Sequence, residues 1–343
     1  MPRRTLTLYI SAIAVIVAIL VAERISVPYV ILGPGPTLNT LGKDQSGKPL
    51  ITISGRTVHP TSGHLNMVSI SYEGGPGHGF NVFTALRAWL DSRDAVVPES
   101  EIFAPGQSQQ QVTQQDQTEM TGSQQSATAA ALSQLHIKYQ AMPGVVSVEK
   151  GLPAYGKLKA GDLIKAVDGQ PVTTANQLTA QIKAHAARPM TVTVQRSGQT
   201  TQVQLMAKEV DGRPLLGIVV QDQYKFPFTV TIQIGQIGGP SAGMMFALGI
   251  IDKLSTENLT GGKFIAGTGE ISASGAVSPI GGIQQKMIGA RNAGATVFLA
   301  PAGNCSDTKG AVPAGLRVVK VSTLSGAISA LQNLKAGHPV PSC

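Results

Sequence analysis

The sequence predicts an α+β multidomain protein with a transmembrane helix at its N-terminus. The 343 residues exceed the usual size of one domain and favour two or three domains. Segments with the alternating pattern of strands and segments with the apolar spacing of helices follow one another along most of the chain. An uncharged, largely apolar stretch follows the first four residues and has the length of a membrane span.

The composition excludes several classes of protein. Charged residues make up 13% and hydrophobic residues 42% of the chain, which excludes a disordered chain and provides a sizeable core. The net charge is +8, but the basic residues are scattered, so we expect no nucleic-acid partner. The six histidines form no ligand cluster, so we expect no metal. The motif G-x-x-x-x-G-K-[ST] does not occur, so we expect no ATP.

The apolar stretch from 5 to 22 spans roughly 27 Å as a helix, about one hydrocarbon core. Arg3 and Arg4 precede it and favour a cytoplasmic N-terminus. A cleaved signal peptide is the alternative, but the best cleavage site has Leu20 where a small residue is required. We therefore expect an uncleaved single-pass anchor over residues 1–24, in the cell membrane, with the bulk of the chain extracytoplasmic.

A small mixed α/β region is predicted at 25–137. Its segment Gly63–Gly74 alternates as a strand does, and Phe80–Asp91 has apolar residues at helical spacing. The segment Gly106–Gln125 is rich in glutamine and predicts a flexible surface loop. We find no residues in this region that indicate chemistry.

Residues 138–210 have the elements of a small peptide-binding domain. Short strands flank a turn at Asp168-Gly169, a helix follows, and two alternating strands meet at Ser197-Gly198. The motif "LKAGDLIKAVDGQPV" and the elements after it make this segment resemble a bacterial PDZ domain.

A PDZ domain binds an extended peptide by adding it as a strand beside a helix. The resemblance places the carboxylate loop near Met142–Val146, so the candidate peptide-binding residues are Pro143, Gly144 and Val145. The alternative is a PDZ fold that serves only as a spacer.

The stretch "IGQIGGPSAGMMFALGII", Ile234–Ile251, contains the candidate nucleophile. Two glycines and a proline precede Ser241, which opens an apolar helix. Backbone N–H groups at a helix start lack partners, so those of Gly239, Ser241 and Ala242 are candidates to hold an oxyanion. The alternative is a serine that only caps a buried helix.

A serine nucleophile requires a base, and no histidine lies between His185 and His338. The remaining choice is a lysine held neutral by burial. Lys286 lies in the first turns of a predicted helix beside Met287 and Ile288, where burial and the helix dipole would lower its pKa. The alternative is a surface lysine with its charge in solvent.

The segments "GGPSAG", "GTGEISASGAVSPIGGIQQK" and "GARNAGATVFLAP" resemble the proteolytic domain of Lon-type Ser-Lys proteases in order and nearly in spacing. The resemblance implies Ser241 as nucleophile, Lys286 as general base and then acid, and Thr268 as the residue that helps hold the lysine. This family commonly has an acidic residue just before "GPSAG", where this chain has Gly238, and its frequent "KEK" is "QQK" here. The first departure leaves open how the active-site loop is ordered.

The order of anchor, PDZ domain and Lon-like domain resembles the YlbL-type family of membrane-anchored bacterial proteases. The resemblance implies an ATP-independent serine endopeptidase that cleaves cell-envelope or membrane proteins and binds their peptides through its PDZ domain. It also implies a homo-oligomer, of which a hexamer is one form, and no cofactor. The predicted divisions are an anchor (1–24), the mixed region (25–137), the PDZ domain (138–210), the Lon-type domain (211–335) and a C-terminal tail (336–343).

Two other functions fit parts of the pattern. One is a catalytically inactive, membrane-tethered PDZ scaffold, although the presence of both Ser241 and Lys286 argues against it. The other is acyl transfer on a non-peptide substrate, as in an amidase. The cysteines Cys305 and Cys343 either form a disulfide that holds the tail or remain free thiols, and the sequence does not decide between these.

Overall fold

The computed structural model describes residues 3–44, 46–186 and 188–343, without the side chains of residues 3–6 and 18. The chain divides into two units. The split unit contains the residues up to His136 together with Phe228–Cys343, and the inserted unit is Ile137–Pro227.

Helices and strands alternate irregularly along the chain. The helices are α1 (Arg3–Ala22), α2 (Val82–Leu90), α3 (Glu99–Ile102), α4 (Gln109–Gln134), α5 (Ala175–His185), α6 (Gly243–Leu254), α7 (Ile283–Asn292), α8 (Cys305–Thr308) and α9 (Leu324–Ala336). The strands are β1 (Ser26–Val27), β2 (Tyr29–Asn39), β3 (Ile51–Ser54), β4 (His64–Gly74), β5 (Phe80–Asn81), β6 (Ala95–Pro98), β7 (Gln140–Val148), β8 (Leu163–Val167), β9 (Gln170–Pro171), β10 (Pro189–Arg196), β11 (Gln199–Met206), β12 (Lys208–Val210), β13 (Arg213–Leu215), β14 (Ile218–Lys225), β15 (Thr229–Ile232), β16 (Phe264–Gly267), β17 (Glu270–Ile271), β18 (Val277–Ser278), β19 (Val297–Pro301) and β20 (Arg317–Val321).

The main sheet of the split unit has the order β20-β19-β16-β4-β2-β6. Strands β20, β19, β16 and β4 run parallel, and β2 is antiparallel to both β4 and β6. The join between the two parts of the chain is the pair β4–β16, where Leu65 lies opposite Ile265 and the ring of His64 stacks on Phe264 at 4.3 Å. The region predicted as a separate domain at 25–137 therefore contributes β4, β2 and β6, which are three of the six strands of this sheet. Strand β16 pairs with β19 on one side and with β4 on the other, and β19 is buried along its whole length.

The Gln-rich segment predicted as a loop forms the long helix α4 instead. Glutamine is a good helix former, and a capping box between Ser108 and Gln111 fixes the first turn. Small residues between Ala127 and Ala131 are buried and let α4 pack closely against α6. Helix α6 itself is buried at ten of its twelve residues, so α4 provides part of the cover that this apolar helix requires.

Two predicted elements of the same region are present. The strand predicted at Gly63–Gly74 is β4, and the helix predicted at Phe80–Asp91 is α2. The apolar side chains at helical spacing in α2 are exposed, however, with 43% for Phe83 and 71% for Leu90. The spacing indicated the helix correctly but not a buried face.

The inserted unit contains a sheet of order β11-β10-β8-β7-β14, with β9 added to β8. Its core includes Ile164, Leu178 and Val192, and α5 packs against β7 and β14. Strand β14 pairs with β7 from Gln140 to Val148. The unit therefore extends beyond the predicted PDZ boundaries of 138–210, because its last strand comes from the residues that follow.

The N-terminal segment forms α1, but none of the helices in the described part of the chain is long and apolar enough to cross a membrane. The predicted transmembrane anchor over 1–24 was therefore wrong, and so was the single-pass localisation in the cell membrane that we derived from it. The first two residues of this range lie outside the described residues.

The C-terminal residues are held against the main sheet. Cys305, at the start of α8, forms a disulfide with Cys343. The backbone N–H of Lys320 donates to the carbonyl of Pro341 at 3.1 Å, and Val319 forms a β-bridge with Ser342. The segment predicted as a tail therefore continues the sheet beyond β20.

We expect the double variant Cys305→Ser/Cys343→Ser to be less stable than the wild type by up to about 4 kcal/mol, because the disulfide closes a loop between residues 38 apart. Urea unfolding, followed by circular dichroism, measures this difference. Reductant should lower the wild-type midpoint and leave the midpoint of the variant unchanged. An oxidised wild type that is no more stable than the variant would contradict the expectation.

Candidate active site

Ser241 lies at the end of the turn that leads into α6. Gly239 in this turn has φ of 81°, a left-handed conformation that favours glycine. The carbonyl oxygen of Ser241 accepts hydrogen bonds from the Thr268 hydroxyl at 2.9 Å and from the Gly269 N–H at 2.7 Å. The backbone of the serine is therefore fixed to the segment just beyond β16, while its side chain faces a cleft.

Lys286 approaches Ser241 from α7. The helix begins after Gly282, which has φ of 65° and lies so close to β4 that a Cβ atom there would be 2.8 Å from Cγ2 of Ile70. This close packing directs the fourth residue of the helix into the site. The Lys286 Nζ atom lies 2.7 Å from the Ser241 Oγ atom and 3.0 Å from the Thr268 Oγ1 atom.

The lysine is almost completely buried, with 2% of its surface exposed. Burial disfavours the ammonium form and lowers the pKa of Lys286 to about 7. Thr268 donates its single hydroxyl proton to the carbonyl of Ser241, so its oxygen accepts from the Lys286 amine. With one N–H directed at Thr268, the lone pair of the neutral amine is available for the proton of the Ser241 hydroxyl.

The three backbone donors predicted for an oxyanion differ in their partners. The N–H of Gly239 donates to the carbonyl of Asp116 at 3.2 Å. Ala242 is the N-cap residue of α6, and within the described chain neither its N–H nor that of Ser241 has a hydrogen-bond acceptor. The structure therefore leaves two of the three donors open beside the serine.

Helix α4 contributes two residues that the sequence did not indicate. The Ser123 hydroxyl donates to the carbonyl of Pro240 at 2.9 Å, and the Asp116 carbonyl accepts from Gly239. The side chain of Asp116 fills the space beside Gly238, where any Cβ atom would collide with it. Because Asp116 and Ser123 are seven residues apart, they lie on one face of the helix. The one sequence feature that could have indicated a contribution from another element was Gly238, which stands where Lon-type domains commonly have an acidic residue.

The dyad of Ser241 and Lys286 faces a cleft of about 440 Å³. Val68 to Tyr72 of β4 form one part of its wall. On the side of β4 that faces away from β2, β16 pairs only as far as Met67, and past that residue no described strand pairs with this edge. An open strand edge therefore lies in the wall of the cleft that contains the serine.

The predicted peptide-binding residues Pro143, Gly144 and Val145 are buried in β7. Strand β14 pairs with one edge of β7 along its whole length, and β8 pairs with the other edge at Gly144. These three residues are therefore not at an open edge. Strand β14 is one of the two edges of this sheet and borders a cavity of about 430 Å³ together with α5. The sequence feature that could have indicated β14 is the run of β-branched residues that begins at Ile218 after a glycine.

Comparisons with known protein families match two segments of the chain. Residues 233–331 match the model of the Lon protease (S16) C-terminal proteolytic domain, and residues 144–196 match a PDZ domain model. The chain thus contains a PDZ domain and a Lon-type protease domain, and this combination is consistent with a PDZ–Lon-like protease.

Individual relatives match parts of the chain. Lon protease 1 of Sorangium cellulosum is 38% identical over 101 residues, which are 29% of this chain and 12% of that protein. Lon protease 1 of Bacillus subtilis is 26% identical over 167 residues, or 47% of this chain and 21% of that protein. A putative zinc metalloprotease of Lactococcus lactis is 33% identical over 116 residues, or 33% of this chain and 27% of that protein. The chain thus spans about a quarter or less of the length of these relatives.

Solved PDZ domains also match. One is the PDZ domain of an SdrC-like protein of Listeria innocua, 24% identical, with 23% of this chain and 92% of that chain covered and a TM-score of 0.22. In the part of this chain that the structure describes, no group of three or more His, Cys, Asp or Glu residues could hold a metal ion.

We expect a fluorophosphonate to label Ser241 at a rate that rises with pH around a midpoint of about 7, the pKa of Lys286. Below this pH the amine is protonated and accepts no proton, so labelling at pH 6 should be roughly tenfold slower than on the alkaline plateau. Intact-protein mass spectrometry over time measures the rate. The variant Lys286→Met controls for hydroxide, and a wild-type profile parallel to that of the variant would contradict the assignment.

Proposed function

We propose that this protein is an ATP-independent serine endopeptidase in which Ser241 is the nucleophile and Lys286 is the general base. The observation that carries the proposal is the 2.7 Å separation of the Lys286 Nζ and Ser241 Oγ atoms, with the amine buried so that its pKa falls to about 7. A neutral amine at this distance is a base that operates near neutral pH. The Lon-type domain match supports the same reaction.

The reaction follows from the positions of these groups. Neutral Lys286 accepts the hydroxyl proton as Ser241 Oγ attacks the peptide carbonyl, and the N–H groups of Ser241 and Ala242 bind the oxyanion. Thr268 holds the lysine amine throughout. The resulting ammonium gives its proton to the leaving amine, which breaks the C–N bond and leaves an acyl ester on Ser241. Water then attacks the ester while Lys286 accepts its proton, and Lys286 returns this proton to Ser241 Oγ as the C–O bond of the ester breaks and the acid is released.

The open edge of β4 supports an extended substrate. Main-chain groups of Val68 to Tyr72 would pair with a substrate strand as another strand of the sheet does. The 343 residues contain no P-loop motif and so show no site that would power unfolding. We therefore infer that the substrates are flexible or unfolded segments of proteins.

For the PDZ domain, we propose that a peptide adds to β14 beside α5. This is one of the two edges of its sheet, and Leu178, Ile182 and Leu216 line the cavity beside it. The exposure along β14 alternates residue by residue, because successive side chains of a strand point to opposite faces of the sheet. A homo-oligomer, with a hexamer as one form, is part of the proposal on the resemblance to Lon-type domains alone.

The test of this function is hydrolysis of casein by the full chain without ATP, compared with Ser241→Ala and Lys286→Met. We expect cleavage by the wild type and a loss of at least about a thousandfold in each variant, because nucleophile and base act as a unit. Since a buried ammonium is costly, the Lys286→Met variant should melt at the wild-type temperature or above, which shows that the fold is intact.

The outcomes separate the candidate functions. Hydrolysis that survives in Ser241→Ala would exclude the dyad. A wild type that reacts with a fluorophosphonate and cleaves an ester or a simple amide, but no peptide, would instead assign an amidase. A folded wild type with neither reaction would favour the inactive PDZ scaffold.

The variant Ser123→Ala tests the contribution of α4. It removes the hydrogen bond to the carbonyl of Pro240 and releases the turn before the nucleophile, so we expect kcat to fall roughly tenfold or more with little change in KM. The matched control is Thr121→Ala on the same helix, whose hydroxyl is exposed and bonds only to the carbonyl of Gln117. Equal kcat values for the two variants would show that Ser123 does not position the turn.

A further inference from the structure

We propose that Asp116 makes the active-site cleft select peptides that carry a lysine or arginine side chain near the bond to be cleaved. This selectivity rests on the proposed peptidase function and names the substrate class of the same cleft. Three features of Asp116 support it: its place beside the nucleophile turn, its lack of a paired cation, and the apolar wall around it.

The position of Asp116 is fixed by the backbone. Its carbonyl accepts from the N–H of Gly239, two residues before Ser241. Its side chain lies against Gly238 and lines the cleft together with Ser241 and Lys286. A substrate that places its carbonyl at Ser241 therefore passes the carboxylate within a few residues of the scissile bond.

The carboxylate has no compensating charge. Among the residues described in the cleft wall, Asp116 is the only acid and Lys286 is the only base. Lys286 is directed at Ser241 and Thr268, and acts in its neutral form. No ion pair or side-chain hydrogen bond of Asp116 occurs in the described chain.

The surroundings strengthen the effect of this charge. Val112 and Met120 of α4 and Ile237 line the same cleft, so less water screens the carboxylate than at an open surface. Burial raises the pKa of Asp116, and the nearby charge of Glu119 raises it further. Both causes make the ionised form of this partly buried carboxylate costly, and a bound ammonium or guanidinium group would offset that cost.

The consequence is a difference between substrates rather than a general gain in affinity. A cationic side chain would pair with Asp116, an uncharged side chain of the same length would leave it unpaired, and an acidic side chain would be repelled. Lysine, norleucine and glutamate represent these three cases, because norleucine keeps the aliphatic chain of lysine without its ammonium group.

The experiment measures kcat/KM of the full chain at pH 8 on quenched fluorescent peptides derived from one mapped casein cleavage site. Each residue within four of the scissile bond is replaced in turn by lysine, norleucine or glutamate. At one position or more we expect lysine to exceed norleucine roughly tenfold and glutamate to be the poorest. In Asp116→Asn the ratio of lysine to norleucine should fall to about one.

Glu119→Gln is the matched control. It removes the same charge from the same helix, but Glu119 does not line the cleft and bonds to Gln115, so this variant should keep the wild-type ratio. A loss of the ratio in both variants would assign the preference to the overall charge of α4 and overturn the role of Asp116. A wild-type ratio of about one at every position would overturn the inference while the peptidase function stands.

If the wild type cleaves no peptide, the proposed function fails, and binding still decides the inference. Fluorescence anisotropy with the Ser241→Ala variant compares the dissociation constants of the lysine and norleucine peptides. Tighter binding of the lysine peptide that is lost in Ser241→Ala/Asp116→Asn supports the cleft preference without the reaction. Equal binding of the two peptides overturns it.

Discussion

The site depends on the removal of one lysine amine from water. A lysine in solvent holds its proton at neutral pH, and no nearby cation is needed to change this: burial alone lowers the pKa of Lys286 to about 7. The rest of the site follows from this constraint. Thr268 gives the dehydrated amine one hydrogen-bond partner and holds the serine backbone with the same hydroxyl. The close contact of Gly282 with Ile70 brings α7 near enough to the sheet to enclose the amine.

The serine has a different support, because it must remain open to substrate. Its turn has two glycines and a proline, and its order comes from neighbours rather than from its own side chains. Helix α4 makes two hydrogen bonds to this turn. The Ser123 hydroxyl donates to the carbonyl of Pro240, and the carbonyl of Asp116 accepts from the N–H of Gly239. The same helix covers the buried α6. One element thus stabilises the apolar core, orders the nucleophile and lines the cleft, although most of its residues looked like a polar loop in the sequence.

The sequence located the residues of the candidate site better than it predicted the architecture, and the reasons are physical. Local signals, a glycine turn before an apolar helix and a lysine beside apolar residues, pointed to Ser241 and Lys286, whereas Thr268 came from the resemblance to Lon-type domains. The pairing of β4 with β16 and the addition of β14 to β7 join segments far apart in the chain, and apolar alternation does not identify a partner strand. The Gln-rich α4 lacks an apolar stripe because alanines provide its contact. The uncharged apolar run at the N-terminus was wrongly predicted to span a membrane.

The split unit has a consequence for how the protein is made. Ser123 and Pro240 are 117 residues apart, and the residues of the inserted unit come between them in the sequence. Contacts of this sequence separation form late, since a long loop must close before they contribute stability. During synthesis the inserted unit can fold on emergence, whereas α4 waits for its partner α6 and the serine waits for the lysine another 45 residues later. The nascent chain therefore carries a folded middle and an unassembled site, and it acquires the pairing of amine and hydroxyl only after Lys286 has been translated.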